Sequence, residues 1–166
     1  MKSKALTLLS KLLPLSNVAL DLDATSKKRV FEQAGLAFEN NQQIPSSEVF
    51  DSLFAREKLG STGLGQGVAI PHGRIKGIRE AVGAFLRLTT PVPFDAPDGK
   101  PVNLVFVLLV PERATDLHLQ ILSELAQLFS DRAMREDLLE AKSAEAAHRL
   151  IVEWEPNAPG HRSSAV

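Results

Sequence analysis

The segment VNLVFVLLV, residues 102–110, limits the possible folds more than any other stretch of the chain. A strand with one wet face alternates apolar and polar residues, whereas here only Asn103 interrupts the apolar run. This is the pattern of a central strand covered on both faces. At nine residues it falls well short of the roughly 18 apolar residues that a membrane span needs. Such a strand needs a helical layer on each side, and the sequence supplies the helices. Thr25 or Ser26 can cap a helix running to about Asn40, with Val30, Phe31, Ala34, Ala37 and Phe38 on one face. Ile44-Pro45-Ser46-Ser47 starts a second helix, which ends near Gly60 and is expected to bury Val49, Phe50, Leu53 and Phe54. Asp116 opens another, carrying Leu117, Ile121, Leu122, Leu125, Leu128 and Phe129; two more fit 132–140 and 144–154. Leu6, Leu9, Leu12 and Leu13 mark a short N-terminal amphipathic helix ended by Pro14. Val18–Leu22 and the alternating stretch Val82–Thr89 read as strands, and residues 90–101 as turn material. The fold class is therefore α/β, with three layers and a mixed sheet flanked by helices on both faces.

The chain has 166 residues, enough for one domain with a sizeable core, which is expected over residues 1–154 with a disordered tail at 155–166. Basic and acidic residues nearly cancel, with a net charge of −1, so neither nucleic acid nor an anionic membrane is an expected partner. With no cysteine, disulfides, thiolate metal clusters and cysteine nucleophiles are excluded from this chain. A cytoplasmic setting is expected. No membrane insertion is expected either, because Ser10, Lys11 and Pro14 interrupt the leucine-rich start.

Chemistry concentrates in REKLGSTGLGQGVAIPHGR, residues 56–74. Glycines at 60, 63, 65 and 67 with Ser61 and Thr62 leave little side-chain bulk, so backbone N–H groups can approach an anion; glycines also simply permit turns. The lysine of a nucleotide-binding loop is missing. His72 follows an apolar Val68-Ala69-Ile70 segment and Pro71, which would present it at a strand end. A neutral ring nitrogen is nucleophilic near neutral pH and its phosphorylated form is a good leaving group, which suits reversible phosphoryl transfer. Arg56 and Arg74 lie nearby in sequence. His118 falls in the first turn of the helix opened by Asp116, where the helix dipole disfavours imidazolium and the ring can donate one N–H to a phosphoryl oxygen. A two-histidine zinc site is the rival, but no third ligand is evident, so no metal is expected. His148 fits a surface role and His161 lies in the tail.

LGSTGLGQGVAIPHGR closely resembles the active-site signature of the type 2 enzyme IIA family, the fructose, mannitol and nitrogen-regulatory group of the bacterial phosphotransferase system. FDAPDGKPVNLVFVLLVP and DLHLQILSELAQLF follow in family order, so the resemblance covers roughly residues 5–153. It implies a mixed five-stranded sheet between helices and a histidine phosphocarrier that takes its phosphoryl group from an HPr-type protein, without a cofactor. The phosphorylated histidine falls on His72, the second active-site histidine on His118 and the active-site arginine on Arg56. Ser61, Thr62 and Gly63 are then expected to line the same cavity, with Gly63 and Gly73 offering backbone donors. Which nitrogen of His72 reacts, the tele or the pros, stays open. The arginine after PHG and the lack of a cysteine-bearing transport component on this chain look closer to the nitrogen-regulatory branch, whose targets include transporters and sensor kinases. The alternatives are a stand-alone fructose or mannitol enzyme IIA that passes phosphate to a IIB component, and a non-catalytic phosphate-binding or protein-interaction module.

Overall fold

The computed structural model describes residues 8–113 and 116–155. The expected start of the N-terminal helix, including Leu6, and nearly all of the expected tail lie outside them. The described residues form α1 (Leu8–Leu12), β1 (Val18–Leu22), α2 (Lys27–Gln42), α3 (Ser46–Glu57), β2 (Gly63–Gly65), β3 (Val68–Ala69), β4 (His72–Ile75), β5 (Val82–Val92), β6 (Val102–Pro111), α4 (Asp116–Ser130), α5 (Arg132–Glu140) and α6 (Ala144–Val152).

These strands make one mixed sheet in the order β1-β5-β6-β3-β2, with β4 also paired to β6. The apolar run is β6, at the centre of the sheet. Its even residues Leu104, Phe106, Leu108 and Val110 enter one core with Leu9, Leu12, Ile121, Leu125 and Ile151. Its odd residues Val105, Val107 and Leu109 enter the other with Val30, Phe31, Phe38, Val49 and Leu53. Two helical layers therefore account for the missing alternation, since neither face of β6 meets water. The sheet is five strands across, because β3 and β4 lie end to end along the same edge of β6. Val68 and Ala69 pair in parallel with Leu104 and Val105, and His72–Ile75 with Leu108–Pro111. Between them stands Pro71, which has no N–H to give to the ladder. His72 thus opens a second short strand rather than ending the first.

Three local readings change. Residues 90–92, read as turn, extend β5 to Val92, where it pairs with Val102. Phe54 is 40% exposed and stacks on the half-buried Phe50 instead of entering the core. Gly65 and Gly67 serve the bland purpose: Gln66 and Gly67 have φ of 59° and 79°, the left-handed geometry that a two-residue hairpin loop between β2 and β3 requires.

The outer edge of β4 is closed by α3. Ser52 Oγ donates to the Arg74 carbonyl at 2.9 Å, taking the place of a strand partner. This approach depends on Gly73, where a methyl group would fall on Ser52 Oγ and lie 3.1 Å from the Ser52 carbonyl carbon. Gly73→Ala is expected to push α3 from β4 and cost about 1–3 kcal/mol of stability. Urea denaturation of the two proteins tests this, and an alanine variant as stable as the wild type contradicts it.

Candidate functional site

At the break between β3 and β4, a cavity of about 530 Å³ is lined by Ser52, Ala55, Arg56, Leu59, His72, Gly73, Arg74 and His118. Three elements supply it. Positions 52, 55, 56 and 59 follow the i, i+3, i+4, i+7 spacing of one helix face, so α3 and its last turn present them together. The second element, β4, brings His72–Arg74, and the first turn of α4 brings His118.

His72 is half-buried, and its Nδ1 lies 2.9 Å from the Ile70 carbonyl oxygen. A carbonyl oxygen can only accept, so in the neutral ring Nδ1 carries the proton and Nε2 carries the lone pair. The His118 ring meets the His72 ring edge to face, with centroids 5.4 Å apart. Among the described residues no hydrogen-bond partner reaches its buried Nε2. A buried polar atom without a partner costs on the order of 1–3 kcal/mol, so its position beside the cavity marks where a ligand oxygen could bind. Arg56 donates through one terminal nitrogen to the Gly60 carbonyl at 2.8 Å, and Arg74 likewise to the Glu112 carbonyl at 2.7 Å. Each guanidinium has five N–H donors, so each is anchored with donors to spare. No group of three histidine, cysteine, aspartate or glutamate side chains suited to a metal ion occurs among the described residues.

Both imidazoles titrate below the ordinary histidine range. Burial is the main cause for His72, reinforced by the positive charge of Arg56 and opposed by the Ile70 hydrogen bond and the Glu57 carboxylate. Burial also leads for His118, followed by the charges of His72 and Arg74. Neutral rings are what a nucleophilic nitrogen needs. The same shifts set a pH dependence of stability. The folded state binds these protons less readily than the unfolded chain. The histidine contribution is therefore fully present above about pH 6.5 and is lost as pH falls from there through the lowered folded values. Denaturation midpoints should fall over that window, and fall less in His72→Ala; an identical slope in the variant contradicts the assignment.

Four of the residues singled out from sequence, His72, His118, Arg56 and Gly73, meet in this cavity. Ser61, Thr62 and Gly63 do not line it, which departs from expectation. Ser61 Oγ donates to the Phe94 carbonyl and accepts from the Gly63 N–H at 3.0 Å, so the backbone donor expected of Gly63 is already engaged. The buried Thr62 spends both its N–H and its hydroxyl on the Glu57 carboxylate, at 3.0 and 2.6 Å. Small polar residues here lock the loop instead of lining the cavity. Ser52, Ala55, Leu59 and Glu57 were not singled out; the helical spacing of the first three was the available signal, while Glu57 reads on sequence as an ordinary charged helix end.

Among the described residues no helix is long and apolar enough to cross a membrane. Residues 11–154 match the family model described as phosphoenolpyruvate-dependent sugar phosphotransferase system, EIIA 2. The nitrogen regulatory protein of Pseudomonas aeruginosa is 43% identical over 146 residues, covering 87% of this chain and 95% of that protein. The fructose-specific EIIA component of Haloferax volcanii is 33% identical, also covering 87% of this chain and 95% of its own length. Among solved structures, the nitrogen regulatory protein IIA-Ntr of Neisseria meningitidis superimposes with a TM-score of 0.83 at 56% identity, over 87% of this chain and 99% of that one. A mixed sheet between two helical layers, two neutral histidines facing one cavity and these relatives lead to one assignment: the chain belongs to the EIIA type 2 family of the phosphotransferase system.

Proposed function

We propose that this protein is a cytoplasmic histidine phosphocarrier that accepts a phosphoryl group from an HPr-type protein on Nε2 of His72 and acts as a nitrogen-regulatory enzyme IIA. The observation that carries the reading is the His72 ring itself: Ile70 holds the Nδ1 proton, so the lone pair sits on Nε2, in a ring that shares its cavity with Arg56, Arg74 and His118, whose Nε2 has no hydrogen-bond partner among the described residues. In the transfer, the Nε2 lone pair forms the new N–P bond as the bond from phosphorus to the donor's histidine nitrogen breaks, and the donor ring keeps that electron pair. Arg56 stabilises charge on the transferring oxygens and His118 Nε2–H supplies a hydrogen bond to one of them. Nδ1–H remains on the Ile70 carbonyl, so the phosphorylated ring carries a positive charge and stays a good leaving group for the return transfer. The added phosphoryl group brings about two negative charges to the cavity mouth, enough to change which protein surface docks there. Partners controlled in this way would include transporters or sensor kinases.

The higher identity to nitrogen regulatory proteins favours the regulatory branch, while the 33% identity to a fructose-specific component supports sugar transport through a IIB component as the second reading. Labelled phosphoenolpyruvate passed through purified enzyme I and HPr, in parallel with their nitrogen-branch paralogues, separates them. Faster acid-labile labelling through the nitrogen pair supports regulation, and preference for the sugar pair supports transport. No label from either pair would leave a non-catalytic binding module.

A further inference from the structure

We propose that Glu57 is a positioning residue for both halves of this site, holding the His72 ring and the Arg56 guanidinium through one buried carboxylate. The inference rests on the phosphocarrier reading above for its kinetic arm only.

Glu57 ends α3, and its side chain is only 4% exposed. A carboxylate taken out of water needs compensation on both oxygens. Oε1 accepts the Thr62 hydroxyl at 2.6 Å, and Oε2 accepts the Thr62 N–H at 3.0 Å and the Lys27 ammonium at 2.9 Å. Lys27 comes from the first turn of α2, so the carboxylate ties α2, α3 and the loop before β2 together.

Two hydrogen-bond paths leave this clamp. One begins at Thr62, whose carbonyl accepts the Ile70 N–H at 3.0 Å, while the Ile70 carbonyl accepts the Nδ1 proton of His72 at 2.9 Å. Fixing Thr62 therefore fixes the carbonyl that selects the His72 tautomer. The other path runs through Gly60. Its N–H donates to the Glu57 carbonyl at 3.1 Å, and its own carbonyl holds Arg56 at 2.8 Å. Gly60 thus lies in a short loop closed at one end by the Glu57 backbone and at the other by the Glu57 side chain on Thr62. Its φ of 151° is outside what L side chains adopt easily, so the turn depends on such anchoring. A displacement of about 1 Å in a reacting group can cost about 100-fold in rate, so a clamp shared by nucleophile and guanidinium has kinetic consequences.

Glu57→Gln keeps the shape but removes the charge that faces Lys27, and it turns the Thr62 hydroxyl from a donor to a carboxylate oxygen into an acceptor from the amide nitrogen. It should slow single-turnover labelling of His72 by about 10-fold to 100-fold. On an Arg56→Ala background the same substitution should cost clearly less, because one of its two routes is already gone. The imidazole ¹⁵N shifts of His72 should move from the Nδ1–H tautomer toward a mixture, a signature that general destabilisation of a still-folded protein does not give. Thr62→Val should reproduce the shift and Thr62→Ser should restore the wild-type pattern, which keeps the test decisive should Glu57→Gln fail to fold. Wild-type rates with an unchanged His72 spectrum in Glu57→Gln and Thr62→Val would overturn the proposal. A wild type that accepts no label, with variants that still shift the ¹⁵N resonances, would overturn the carrier reading and support the positioning role.

Discussion

His72→Ala is expected to accept no acid-labile phosphoryl group and still to fold. On the proposed reading the substitution removes the nucleophile, because Nδ1 is committed to Ile70 and Nε2 is the lone-pair atom. His118 does not replace it. Its ring touches that of His72 from the first turn of α4, where the helix N-terminus and the positive charge of Arg74 favour holding an anion over carrying it as a covalent group. The structural cost is small: one hydrogen bond to a carbonyl, worth about 1 kcal/mol, and one ring contact with His118. Labelling with phosphoenolpyruvate and the cognate carriers, together with a thermal melt, checks both halves. Label above about a tenth of wild type, or loss of the folded state, contradicts the account.

Arg56→Ala is the second large effect, expected at about 100-fold to 1,000-fold in the transfer rate, the range seen when one preorganised donor is removed from developing negative charge. Arg56 sits on the cavity face of α3 and is held by the Gly60 carbonyl, so its guanidinium is oriented in advance for the proposed transfer. Arg56→Lys should recover only part of the loss, since an ammonium keeps the charge but not the planar fork that meets two oxygens at once. A second consequence has a definite sign. The Arg56 charge helps hold the His72 pKa down, so its removal should raise that pKa and move the acidic limb of the rate profile to higher pH. Pre-steady-state transfer measured across pH in the three proteins reads both effects. An alanine variant within about threefold of wild type, with an unmoved profile, would place Arg56 outside the reaction.

The layering was legible because β6 is apolar without alternation, and only a sheet covered on both sides gives such a run a place to go. The cavity was legible through side chains whose chemistry is distinctive, His72, His118 and Arg56. The loop at 61–63 was not. A phosphate cradle and a loop locked by a carboxylate use the same small polar residues, and the deciding partner, Glu57, lies on the preceding helix, where burial leaves no mark on sequence. Nor did periodicity reveal that the strand line breaks at Pro71, placing His72 at the start of β4, or that Thr90–Val92 continue β5. Phe54 shows the same limit: its helical spacing fits a core face, yet it is 40% exposed and stacks on Phe50.

The most direct test of the central claim is the nitrogen that carries the phosphoryl group. Protein with ¹⁵N-labelled histidine, phosphorylated through its carriers and kept at alkaline pH, should show phosphorus coupled to Nε2 of His72, with Nδ1 still protonated. Phosphorus on Nδ1 of His72, or on His118, would contradict the tautomer that the Ile70 carbonyl imposes and the account built on it.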